Sequence, residues 1–493
     1  MSTSQDAQNN AVPTAPSPDI SVGLAAQAET SRVPEIISSY TMRIRLISRC
    51  AREYISLAQK TSQEWRSSQL AQLGQCKQDL EFLAGRAALD EADRAKLTLV
   101  LTFLTDRNRE YDIQYHALAQ PSDMLSQSLL IFAFSAFDAF VGVLVAQLCQ
   151  EESQLIHKFE QKTVTVHELL DCDTIKEVLN RLIERDIDAL LRHSYDDIFT
   201  ALAKRHGLET LKKFPNWPKF IEAGQRRNLI THCNGIVNAQ YIVACKRSGV
   251  TLAKKVTPGY QLKVGPKYLQ CALDILYEVG VKLGHTLWRT GEPSRIEESE
   301  KCLGDEVYQL LCREEWSLAK VLGEFAMSFR RPKRDLYNRI ARINYAQAMK
   351  WSGDNAGAMT VLDSTDWSSS IRDLRLGVEV LRGNFDEAVA LMKGIGKNGE
   401  LVNQPAYREW PLFREFRTAE TFKLAYSEVY GEPFPAEPKQ GTPIRTLNAP
   451  QLTNQEHLDK ILKTGEETMS TSPLPEIKPD NASVAESGKP GSN

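Results

Sequence analysis

The chain has 493 residues, 42% of them hydrophobic and 25% charged, with a formal net charge of −3. This is enough chain for two or three ordinary globular domains. The near-neutral balance excludes a globally basic nucleic-acid binder, so any nucleic-acid surface must be a local patch. Nine cysteines without a C-x-x-C pair suit neither a disulfide framework nor a zinc site and fit a reducing cytoplasm.

Taken in chain order, residues 1–34 and 433–493 hold thirteen of the 22 prolines and are rich in Ser, Ala, Thr, Asn and Gln. Both tails are expected to be disordered, and the first has neither the charged nor the apolar region of a secretory signal. Residues 35–120 predict an N-terminal helical region. Leu46, Ile47, Cys50, Tyr54, Leu57 and Ala58 recur at helical spacing, a second run follows near Leu80–Leu83, and a third near Leu97–Leu104 has Asp90 as its N-cap. Residues 128–149, SLLIFAFSAFDAFVGVLVAQLC, are long and apolar enough to cross a bilayer. Their single charge, Asp138, would be costly in lipid, so a helix buried in an all-helical domain is expected and no membrane partner. A membrane-anchored sensor is the competing reading.

Helical segments at 166–205 precede a helix at 217–234. Residues 246–268, KRSGVTLAKKVTPGYQLKVGPKY, then show short β-like runs around a Pro-Gly turn, which predicts a hairpin or an extended loop. This segment carries Lys246, Arg247, Lys254, Lys255, Lys263 and Lys267 and no acidic residue. An RNA-backbone contact and a solvated loop are both consistent with it. A helix at about 267–289 follows. Past residue 305, GDNAGAMTVL from Gly353 and GNFDEAVALM from Gly383 share a Gly with an Ala five residues on, Ala358 and Ala388. Gly at a tight turn and Ala at a close helix crossing are what stacked helical hairpins need. Residues 305–432 resemble degenerate tetratricopeptide repeats, which implies a surface for a regulatory protein. The Gly-rich GIGKNG at 394–399 has no strand before it and is read as a loop. The basic run at 330–334 is read as a solvated linker.

The stretch RRNLITHCNG at 226–235 carries the chemistry. Asn228 and His232 share a helix face, so Asn228 is placed to orient the imidazole. Arg227 lies about 140° away, which predicts that one protomer does not close Arg and His on a single phosphate and that two copies would. Asn234-Gly235 is a helix stop. Trp217 before the Arg, Asn238 and Tyr241 after the His, and SAFDAFVGVLV at 135–145 complete the pattern. Together these residues resemble the R-x4-H ribonuclease signature of the HEPN superfamily across about 120–290. The resemblance implies an all-α bundle over 121–295 that forms a homodimer and cuts RNA without a metal or cofactor. It implies a toxin or phage-defence type of role in the cytoplasm. Arg227 would stabilise charge on the phosphate, His232 would act as general base or acid, and the 2′-OH would be the nucleophile. DNA, lacking that hydroxyl, would be spared. Asp138 is expected to pair with Arg226 or Arg227 as structural support. The competing reading is a non-catalytic scaffold, in which the bundle only dimerises and the repeats recruit partners.

Overall fold

The computed structural model describes residues 32–435, apart from 87, 120, 152–162, 209–210 and 330–334, and describes no side chain at 69, 106–119, 150 or 151. The two expected tails lie almost wholly outside the described residues, as does the basic run at 330–334. The described chain is all-α, as the sequence predicts. Its only bridges outside helices, among the described residues, are Ile236–Gln261 and Asn398–Asn403.

Three helices form the centre: α1 (Val33–Ala84), α3 (Pro121–Glu151) and α9 (Pro266–Gly291) pack on one another. At about 1.5 Å per residue, α1 is a rod of roughly 78 Å, and α2 (Glu91–Ala119) packs against it. Asp90 caps α2 as predicted, its Oδ1 accepting from Asp93 N at 2.8 Å. The face of α1 that enters the core carries Ile37, Tyr40, Ile44, Ile47, Ala51 and Ile55. Leu46, Tyr54 and Leu57, expected on the apolar face, are each more than half exposed. The helix carries two apolar stripes, and its neighbours bury only one. Tyr40 stacks on Phe140 at 4.3 Å between ring centroids and donates to Leu276 O at 2.7 Å. Gly280 makes the crossing possible, because a Cβ there would overlap the Tyr40 ring.

Helix α3 is the chain's bilayer-length apolar helix among the described residues, and just over half of that stretch is buried inside the fold. Against it pack α5 (Ile175–Leu191), α6 (Tyr195–His206) and α7 (Trp217–Cys233), while α4 (Val166–Leu170) precedes α5 in the chain and α8 (Ala239–Arg247) packs on α7. Trp217 opens α7 among Phe199, Phe214 and Phe220.

The core does not stop at residue 295. Leu303, Val307, Leu310 and Leu311 of α10 (Ile296–Cys312), Leu318 and Leu322 of α11 (Trp316–Met327) and Ala348 of α12 (Asp335–Trp351) belong to the same buried cluster as α1, α3 and α9. Two hairpins follow the expected layout: α12 with α13 (Asn355–Asp363), and α14 (Arg372–Arg382) with α15 (Phe385–Ile395). Gly353 and Gly383 adopt φ of 89° and 82° at the turns, and Ala358 and Ala388 are fully buried at the crossings. The described chain closes with α16 (Gln404–Glu409) and α17 (Glu420–Tyr430).

Candidate functional site

The site is built on the last turns of α7. Asn234 adopts the left-handed conformation (φ 48°), and Gly235 N donates to Leu229 O at 2.9 Å. This is the helix stop predicted from Asn-Gly, and it leaves His232 exposed in the final turn. Beyond it, Val237 N bonds Tyr260 O and Leu262 N bonds Gly235 O, both at 2.9 Å. Of the hairpin or extended loop predicted within 246–268, the extended loop forms. Residues 260–262 pair back on 235–237, while Val250, Leu252 and Val256 pack against a small core of Leu229, Val237, Tyr241, Cys245 and Leu262. The apolar side chains of the loop are partly buried against α7 and α8 in this way.

Arg226 and Arg227 serve different neighbours. Glu222, almost fully buried, accepts from Arg226 Nε at 2.8 Å, Tyr241 Oη at 2.7 Å and Tyr268 Oη at 2.7 Å. The Arg226 guanidinium lies 3.8 Å from the Tyr268 ring centroid and donates to Lys263 O at 3.0 Å. This network locks α7, α8 and α9 together. Arg227 Nη2 instead donates to Asp138 Oδ2 at 2.9 Å and Tyr195 Oη at 2.6 Å, and Tyr195 donates to Asp138 Oδ1 at 2.8 Å. Of the two arginines offered by the sequence, Arg227 is the partner of Asp138. Burial raises the Asp138 carboxyl above its usual range, against the lowering pull of the Tyr195 hydrogen bond and the Arg227 charge. Burial, followed by the Asp138 charge, pushes the Tyr195 hydroxyl up. Tyr195 fits beside α7 because residue 224 is Gly: a Cβ there would lie 2.6 and 2.8 Å from two Tyr195 ring carbons. Arg227 Nε is buried without an acceptor among the described residues.

A cleft of about 360 Å³ opens between the end of α7, the α5–α6 turn and the start of α8. Arg227, Asn228 and His232 all line it. Arg227 and His232 thus line one cleft in a single protomer, with the Arg227 guanidinium held by Asp138 and Tyr195. The cleft wraps α7 from Arg227 past Asn228 to Cys233, an arc wide enough to include both edges. No hydrogen bond joins Asn228 to His232 among the described residues, so the predicted orienting contact is not made in this structure. Asp138, Tyr195, Asn238 and Tyr241 also line the cleft. Cys233 stays half-buried, 3.8 Å from Asn238 Nδ2. Asn238 caps α8 through its bond from Tyr241 N at 2.9 Å.

Besides Tyr195, the lining includes Arg192 and His193 of the α5–α6 turn, which the sequence does not place in the site. Both are exposed. No local spacing announces them, because a contact some forty residues away in sequence brings them to α7.

None of the six basic residues of 246–268 lines this cleft. Arg247 approaches Asp196 at 4.0 Å and Lys263 approaches Asp123 at 3.7 Å. Lys246, Lys254 and Lys255 are exposed. Lys267 lines a second cleft, of about 530 Å³, with Arg52, Asp274 and Trp316. Comparison with protein-family models, curated proteins and solved structures gives no match to this chain.

Proposed function

We propose that this chain is a metal-independent endoribonuclease whose active site is the cleft at the end of α7. The observation that carries the reading is the meeting of Arg227, Asn228 and His232 on one polar cleft, within a stretch that resembles the HEPN ribonuclease signature. The substrate supplies its own nucleophile: the 2′-OH attacks the adjacent phosphorus, giving a 2′,3′-cyclic phosphate and a 5′-OH. His232 transfers a proton in that step. Arg227 presents a planar fork of donors to the charge that develops on phosphorus. The helical hairpins beyond residue 335 serve as a regulatory surface, a homodimer is the working form, and the setting is a toxin or defence role in the cytoplasm.

The test is cleavage of tRNA and mRNA by purified protein in EDTA, with His232→Ala and Arg227→Ala alongside. Cyclic-phosphate ends from the wild type, and a loss of about 10²–10⁴-fold in each variant, support the reading. Wild type that cuts no RNA refutes it.

One observation favours a second reading, a non-catalytic scaffold. The Arg227 guanidinium is already engaged by Asp138 and Tyr195, as a structural strut would be. A scaffold predicts that Arg227→Ala weakens the fold or the assembly and that no preparation cleaves RNA.

A further inference from the structure

Cleavage through a 2′-OH needs two proton transfers at two different oxygens. A proton leaves O2′ as the O2′–P bond forms, and a proton reaches O5′ as the P–O5′ bond breaks. A single imidazole must do both in turn. Two imidazoles on one cleft, one neutral and one protonated, do both together. We propose that His193 is the second proton-transfer residue of this cleft and acts with His232 within a single protomer. The assignment rests on reading the cleft as a ribonuclease site.

The geometry points this way in three respects. His193 and His232 line the same cleft of about 360 Å³, from separate walls: His232 from the last turn of α7 and His193 from the α5–α6 turn. Neither imidazole has a hydrogen-bond or ion-pair partner among the described residues, so neither is spent on holding the fold. The backbone of His193 is fixed on both sides. Its N–H donates to Leu190 O at 3.1 Å, and Ser194 beside it caps α6 by accepting from Asp197 N at 3.3 Å. An imidazole on a pinned turn, open to the cleft and free at both nitrogens, is suited to exchanging protons with a bound phosphodiester. Arg192, exposed on the same turn, adds positive charge where that phosphodiester would lie. In the step itself, one imidazole takes the 2′-OH proton while the other, as imidazolium, gives its proton to O5′. The pair finishes with its protonation states exchanged and no net proton lost.

The experiment uses the full chain and two substrates of the same phosphodiester chemistry. One is a ribodinucleotide, whose alkoxide leaving group needs a proton. The other is a uridine 3′-nitrophenyl phosphate, whose phenolate leaving group does not. Wild type, His193→Ala, His193→Gln and His232→Ala are compared on both, with the dinucleotide rate followed across pH. The expected result is a loss of about 10²–10⁴-fold on the dinucleotide for each histidine variant. One of the two histidines, the acid, regains most of its rate on the nitrophenyl ester, and His193 variants lose one limb of a bell-shaped pH profile. Because His193 is exposed, circular dichroism and thermal midpoint should match the wild type. If His232→Ala is inactive while His193→Ala cleaves the dinucleotide at the wild-type rate, the assignment falls and the ribonuclease reading stands. Equal losses on both substrates for both histidines also overturn the pair. A wild type inert on both substrates removes the ribonuclease reading and this assignment with it.

Discussion

His285 provides a sharp test of how the core is put together. It lies on α9, fully buried, with Nδ1 2.9 Å from Ser299 Oγ on α10. Burial first, and then the nearby Arg289 charge, lower its pKa to about 3 from 6.5. The folded protein therefore holds this imidazole neutral while the unfolded chain protonates it. Its contribution to stability is complete above about pH 6.5 and is lost progressively as pH falls toward about 3. Between about pH 7.5 and pH 5 the linkage amounts to roughly 1.5 log units, or about 2 kcal/mol, lost on acidification. Buried carboxyls that are raised by desolvation, including Asp138, Asp274 and Glu306, act with the opposite sign and gain stability on acidification. The comparison must therefore be a double difference: urea unfolding of wild type and His285→Gln at both pH values. Gln keeps a partner for Ser299 and removes the titration. The variant should escape about 2 kcal/mol of acid-induced loss. A wild-type-minus-variant difference that stays flat between the two pH values would refute the reasoning. The same experiment shows how far below neutrality a cleavage profile can be followed before unfolding intrudes.

Three further outcomes follow from the site. Glu222→Leu strands a buried guanidinium and two buried hydroxyls, so it should cost about 3–5 kcal/mol in urea unfolding, against about 1 kcal/mol for Tyr268→Phe. Gly224→Ala pushes a methyl group against the Tyr195 ring, so it should cost about 1–3 kcal/mol and also lower any cleavage rate by displacing the group that holds Arg227. An unchanged rate in a folded Gly224→Ala protein would separate Tyr195 from the chemistry. Tyr195→Phe removes one donor to Asp138 and one acceptor for Arg227 and should cost about 1–2 kcal/mol, measured by thermal unfolding.

Local signals in the sequence were legible where the chain itself decides the outcome. Asp90 at the start of α2, Asn234-Gly235 at the end of α7, and the glycines at 353 and 383 each act within a few residues of their own backbone. What was not legible depends on neighbours distant in sequence. Leu46 and Ile47 are adjacent and equally apolar, yet only the packing of α3 and α9 on α1 buries Ile47 and leaves Leu46 out. The β-like runs of 246–268 leave a hairpin and an extended loop both open because nothing local shows that α7 and α8 offer them an apolar surface. The sequence narrows the partner of Asp138 to Arg226 or Arg227 because charge in an apolar bundle needs a counter-charge, and the structure supplies Arg227. Tyr195 and His193 escaped because a phenol and an exposed imidazole carry no such demand in sequence.

Helix α9 reaches from Tyr268, at the polar network behind the cleft, to Trp288, in the core shared with α10 and α11. Its 26 residues make an unbroken beam of roughly 39 Å. For anyone dissecting the protein, this means that a cut directly after residue 291 does not release a self-sufficient N-terminal fragment. Such a fragment would expose the apolar face that Leu303, Leu310 and Leu322 now cover. A truncation meant to isolate the cleft from the hairpins has to keep α10 and α11, which complete the core around α9.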